Sequence, residues 1–253
     1  MRAQLTYRLK RLNRSLRARL CLFSSRFDAL GAPSPLLKLE YAAHKESRTL
    51  IIFLPGIDDL AEDFERRGFI HELRRAGVAA DAIAVDAHFG YYARRVILER
   101  VTEDVIASAH ASGYEEIWLV GISLGGFGAA SYAARHPSHV NGVLLLAPYL
   151  GDKPLIDEIV TAGGLDAWDP GQVTHADYPR SLWSWLKRHP SMPGAAPPIY
   201  LGYGTGDAFA RANALLADVL PERHVFAISG RHDWHTWMQI WRMFLGEWGA
   251  HRR

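Results

Sequence analysis

Short apolar runs of strand length recur along this chain, separated mostly by segments with helical spacing, and no other feature restricts its fold as much. Thr49 to Leu54 is apolar after its first residue and stops at Pro55-Gly56. Ala82 to Val85, Glu116 to Ile122, Val140 to Leu146, Ile199 to Tyr203 and Val225 to Ile228 repeat the pattern, and Leu36 to Ala42 adds an alternating strand in front. The spacing predicts helices over Leu60 to Ala76, Tyr91 to Ser112, Leu124 to Arg135, Phe209 to Leu220 and about 233–248. Asp59, with Glu62 three residues on, reads as the capping box of the first of these. Strands this apolar need cover on both faces, and helical crossovers return each strand parallel to the last. The expected class is α/β, a mostly parallel sheet with helices on both faces. Such a sheet carries its working residues in the loops at the carboxyl ends of its strands.

Composition agrees. At 253 residues and 49% apolar, the chain can bury a large core, and 22% charge excludes a wholly disordered or collagen-like chain. No run of about 18 apolar residues is present, so no transmembrane helix is expected. The single cysteine, Cys21, excludes an intrachain disulfide and a thiolate metal cluster, and it fits a cytoplasmic protein.

The net charge of +2 is divided unevenly. Residues 1–26 carry eight Lys/Arg and no Asp or Glu, which leaves the remainder with 21 basic and 27 acidic groups, a net of −6. The acidic body makes nucleic acid an unsuitable partner. In the basic head, Leu5, Leu9, Leu12, Leu16 and Leu20 fall on one face of a helix. The domain reading is a basic amphipathic segment over 1–30, a Pro-rich linker at Gly31–Pro35, and one domain over 36–253. Residues 1–26 either pack their leucines on the body or contact an anionic membrane surface peripherally. The apolar stretch at Leu20–Phe23 is too short for a secretory signal.

The strongest local signal is Gly121-Ile122-Ser123-Leu124-Gly125, placed between a predicted strand and a predicted helix. A tight turn of this kind strains the serine backbone and leaves no room for side chains two residues to either side. It exposes the hydroxyl and aims the first N–H groups of the helix at the same point. On these residues the sequence after position 35 resembles the α/β-hydrolase superfamily. The resemblance implies an α/β-hydrolase fold with a small cap insertion over 147–198.

It also implies a triad in the order Ser, Asp, His. Asp207 closes the glycine-rich turn after Ile199–Tyr203, although it also suits the N-cap of the next helix. After the last strand, Gly230-Arg231-His232-Asp233-Trp234 is similar to the Gly-x-His-x-Trp loop of the esterase D and mycolyltransferase-like branch, which selects His232 over His235. Ser123, Asp207 and His232 are therefore the expected catalytic residues. The backbone N–H groups of Leu124 and Ile57 are the expected oxyanion hole, with Asp58 as the alternative to Ile57. Trp168, Trp183 and Trp185 in the insertion are expected either to line an acyl site or to form the core of a small subdomain. No metal or cofactor is expected, because neither a ligand spacing nor a nucleotide fingerprint occurs.

Three functions fit these residues. The first is hydrolysis of a small-molecule carboxylic ester through an acyl-enzyme. The second is a thioesterase or acyltransferase using the same triad. The third is a non-catalytic protein of the same fold that binds a ligand. The sequence leaves the oligomeric state open.

Overall fold

A computed structural model describes residues 2–23 (side chains over 6–16), 31–42, 47–174, 176–189, 192 and 194–250. In chain order the main elements are α1 (Arg2–Phe23), β1 (Lys38–Tyr41), β2 (Thr49–Leu54), α2 (Ala61–Arg66), α3 (Phe69–Arg75) and β3 (Asp81–Val85). Then come α4 (Phe89–Ala93), α5 (Ile97–Val101), α6 (Ala107–Ala111), β4 (Glu116–Ile122), α7 (Leu124–Arg135) and β5 (Gly142–Leu146). The chain continues through α8 (Lys153–Thr161), α9 (Tyr178–Arg188), β6 (Ile199–Gly204), α10 (Ala210–Ala217), β7 (Val225–Ile228) and α11 (Trp234–Ala250).

The seven strands form one sheet in the order β1-β3-β2-β4-β5-β6-β7. All neighbours are parallel except β1, which pairs antiparallel with β3. The order reverses at β2. Its successor β3 lies on one side of it and β4 on the other, which opens a crevice at the carboxyl ends of β2 and β4. Every residue of β2, β3 and β5 is buried, as expected for central strands covered twice.

Two long predicted helices are interrupted. The one over Leu60 to Ala76 is split into α2 and α3 at Gly68, whose φ of +93° ends the first helix. Its N-terminal cap also differs from the expected one: Leu60 is the cap position, and its N–H donates to Asp63 Oδ2 at 2.8 Å. The helix over Tyr91 to Ser112 turns at Arg95, where φ is +60°, and widens to a π-helical turn at Thr102–Ile106. There Thr102 Oγ1 bonds back to the Leu98 carbonyl, a contact that loosens regular helix geometry.

The terminal aromatic stripe is core. Trp241 stacks on Phe69 of α3, with ring centroids 5.6 Å apart, and meets Phe53 of β2 edge-on at the same separation. These contacts fix α11 and α3 on one face of the sheet, while α7 packs with α5 and α9 on the other.

The insertion after β5 is ordered by α8 and α9. Arg180 grips both oxygens of Glu158, at 2.7 and 2.6 Å, and Trp168 Nε1 donates to the same carboxylate at 2.8 Å. These donors hold the Glu158 carboxyl down at about 2. The stabilisation is therefore complete above its ordinary value of 4.5 and is lost as pH falls toward 2. The pair is partly exposed and screened, so Glu158→Gln is expected to cost only about 1 kcal/mol at neutral pH. The gap in urea midpoint between wild type and variant should narrow as pH drops below the carboxyl's ordinary value.

Candidate active site

Ser123 stands at the end of β4 and caps the start of α7 with φ +52° and ψ −114°. A residue other than glycine is held there only where the surroundings impose it. Its N–H donates to the Leu146 carbonyl at 2.9 Å, and its own carbonyl accepts from Tyr149 N at 3.0 Å, so β5 and the loop after it fix the turn. The glycines make the turn possible. A Cβ on Gly121 would lie 2.3 Å from the Gly125 carbonyl oxygen, and one on Gly125 would lie 2.1 Å from the Leu54 carbonyl oxygen. Both obstacles are backbone and cannot swing aside. Gly125→Ala is expected to cost about 3 kcal/mol and to lower the urea midpoint accordingly.

The other two expected residues meet across β6 and β7. Asp207 follows β6 in a turn where its N–H donates to the Gly204 carbonyl at 3.0 Å. Its Oδ2 lies 2.8 Å from His232 Nδ1. Its Oδ1 accepts from Phe209 N at 2.7 Å, a bond inside the turn that leads to α10. The N-cap of α10 is Phe209, so Asp207 stands two residues ahead of the cap position and braces the turn into the helix. The Asp207 side chain is fully buried. The imidazole of His232 is set between the edges of Phe209 and Trp237, each 5.0 Å away and nearly perpendicular. Ser123, His232, Gly56, Ile57 and Trp237 wall one cavity of about 500 Å³. Among the described residues no hydrogen bond joins the Ser123 hydroxyl to the imidazole. Such contacts often tighten only with substrate bound.

A family model described as "alpha/beta hydrolase fold" matches residues 98–184. FphF, a fluorophosphonate-binding serine hydrolase of Staphylococcus aureus, superposes with a TM-score of 0.59 at 15% identity, covering 86% of this chain and 99% of that one. S-formylglutathione hydrolase (FrmB) of the same organism gives 0.58 at 14%, covering 87% and 98%. Est1E of Butyrivibrio proteoclasticus gives 0.56 at 17%, covering 85% and 93%. The chain has the α/β-hydrolase fold. No curated protein sequence matches it.

Within the α/β-hydrolase fold, the loop after β2 approaches the serine closely. A Cβ built on Gly56 would lie 3.6 Å from Ser123 Cβ. Ile57 and Asp58 both border the cavity, and Leu124 opens α7 directly after the serine. The N–H of Leu124, first in its helix, has no intrahelical carbonyl to meet. Asp59 does not cap α2. It is buried, its Oδ1 accepts from Trp234 Nε1 at 3.1 Å, and burial pushes its carboxyl up. That contact ties the loop after β2 to the loop that carries His232.

The three tryptophans of the insertion are buried. Trp183 is fully buried with Nε1 on the Leu150 carbonyl at 2.7 Å, and Trp168 is buried beneath Arg180. Trp185 packs against His189, and none of the three borders the Ser123 cavity. No described residue of 147–198 borders that cavity, and α9 of this segment packs against α7. His235 borders the cavity at its rim and bonds Gln239. Asp233 is spent on Thr236, whose N–H and hydroxyl both reach its Oδ1 at 2.9 Å, and these bonds hold its carboxyl low. Sequence reasoning missed the aromatic clamp on His232 and the presence of Arg11 in the cavity wall. The Trp stripe of α11 was a signal for the first, and nothing in the sequence signalled the second. Among the described residues no group of three His, Cys, Asp or Glu stands where it could hold a metal ion.

Proposed function

We propose that the protein is a serine hydrolase of carboxylic esters, with Ser123, Asp207 and His232 as its catalytic residues. The observation that carries this reading is the 2.8 Å contact of buried Asp207 with His232 Nδ1, which leaves Nε2 to serve the cavity bordered by Ser123. A serine hydroxyl is a weak nucleophile until a base takes its proton. His232 Nε2 accepts that proton as Ser123 Oγ forms a bond to the ester carbonyl carbon. The resulting oxyanion is met by the N–H groups of Leu124 and Ile57. The tetrahedral species then releases the alkoxide, which takes the proton from His232 and departs as the alcohol. Water repeats the sequence on the acyl-enzyme and releases the acid. Asp207 keeps the imidazole in the required tautomer and stabilises its cation.

The fold neighbours support the reading by their names, which include a fluorophosphonate-binding serine hydrolase and a ferulic acid esterase. Among the described residues no helix is long and apolar enough to cross a membrane. A cytoplasmic location belongs to the same reading, with Cys21 unpaired within the chain. The test is covalent labelling of the full chain by a fluorophosphonate, with the adduct mapped by mass spectrometry. Label on Ser123 is expected, and an unlabelled native protein would favour a binding role. Parallel assays with matched esters, thioesters and acyl acceptors assign the leaving group and separate hydrolysis from acyl transfer.

A further inference from the structure

α1 rests against the rim of the Ser123 cavity with its basic side inward. Arg14 pairs with both oxygens of Asp86, each at 2.7 Å, and also donates to the Asp59 carbonyl at 2.7 Å. Arg11 reaches Asp59 at 3.4 Å, Lys10 reaches Glu62 at 3.0 Å, and the Tyr7 hydroxyl donates to Asp63. The leucines do not pack on the body. Leu9, Leu12 and Leu16 are 58%, 58% and 52% exposed, and Arg8 beside them is exposed as well. Leu5 and Leu20 lie outside the described side chains. Attachment to the acidic rim uses the inward face alone, so it does not account for an outward row of leucines at helical spacing.

We propose that the outward face of α1 docks on an anionic lipid surface and that the site at its foot takes amphiphilic esters drawn from that surface. The substrate clause rests on the serine-hydrolase reading, whereas the docking clause stands without it. Charge selects the surface. Residues 1–26 carry eight cations and no acid, while the rest of the chain is net −6. Lys10, Arg11 and Arg14 are engaged with the body, so an anionic surface attracts the segment through cations outside those pairs, such as exposed Arg8, and repels the acidic body, which orients the molecule with α1 against the lipid. Exposed leucines flanked by cations are the combination that seats a helix at the headgroup boundary. The geometry beneath α1 suits an amphiphile. A cavity of about 540 Å³ opens between α1 and the body, with Leu37, Leu39, Leu60 and Phe89 among its walls. Ile57 borders both this cavity and that of Ser123.

The experiment is flotation of the full chain with vesicles of phosphatidylcholine containing about one-third phosphatidylglycerol, and with pure phosphatidylcholine. Binding to the anionic vesicles is expected to be at least about tenfold stronger. The variant L9S/L12S/L16S should lose about tenfold or more of that binding and keep its rate on soluble p-nitrophenyl acetate, which also shows that it is folded. On a long-chain ester embedded in the anionic vesicles its rate should fall in parallel. Equal binding to both vesicles, no binding, or unchanged binding by the variant would overturn the proposal. So would a dimer in sedimentation equilibrium that the variant dissolves, because the leucines would then meet a second copy. Fluorophosphonate labelling of Ser123 in the same samples keeps the two failures apart: label without vesicle binding removes only the surface, and vesicle binding without label removes only the hydrolase.

Discussion

Ser123→Ala is expected to lower kcat on a p-nitrophenyl ester by a factor on the order of 10⁶ and to abolish fluorophosphonate labelling. The large factor follows from the serine being the atom that bonds to substrate. Without it, His232 and the oxyanion donors can assist water only from positions arranged for another nucleophile. Stability should hardly change. Among the described residues the hydroxyl makes no hydrogen bond, so its removal leaves no partner unsatisfied. Alanine at φ +52° bears about the same backbone strain as serine, and the Cβ near Gly56 remains in place. The unfolding free energies from urea titration should therefore agree within about 0.5 kcal/mol. That combination separates a chemical role from a structural one. A variant within tenfold of wild type would remove Ser123 from the mechanism, whatever its fold.

The parts of this fold that could be read from the sequence are those decided locally. The strand before Ser123 and the helix after it follow from apolar length and spacing, and the turn between them from glycines whose missing Cβ atoms make room for Leu54 and Gly125. Asp207 and His232 were singled out by the resemblance, which implies an acid and a histidine in the loops after the last two strands, where a parallel sheet presents its carboxyl ends together. What escaped depends on partners distant in sequence. The break at Gly68 occurs inside a pattern that looks continuous, since Phe64 and Phe69 must both reach the aromatic layer around Phe53. Trp168 and Trp183 have the composition of a ligand wall, but their indole N–H groups already have partners in Glu158 and the Leu150 carbonyl. Helical periodicity showed that α1 has a leucine side and a basic side. Which side turns inward was decided by Asp59, Asp63 and Asp86, about 50 to 70 residues away.

The two oxygens of Asp207 allow its roles to be separated by choice of substitution. Asp207→Asn should cut kcat by roughly 10⁴ and leave stability nearly intact. Asparagine can keep a carbonyl oxygen on Phe209 N, so the turn into α10 keeps that hydrogen bond. Its amide then faces His232 Nδ1 as a donor, and the imidazole must accept there and carry its proton on Nε2. That nitrogen is the one required to take the proton of Ser123, so the base is present in the wrong tautomer. Asp207→Ala should lose a similar factor in kcat and, in addition, about 1 kcal/mol of stability, because the partly buried Phe209 N–H loses its acceptor. Nitrogen-15 chemical shifts of the His232 ring would show Nδ1–H in wild type and Nε2–H in the asparagine variant, a change that a purely structural role does not produce. If Asp207→Asn retains activity within tenfold, the orienting function lies elsewhere. Asp233 could not take it over without giving up Thr236, whose hydroxyl also accepts from Arg231 N at 3.0 Å. Loss of activity in the asparagine variant at unchanged urea midpoint would therefore tie the rate to the proton on one nitrogen of His232.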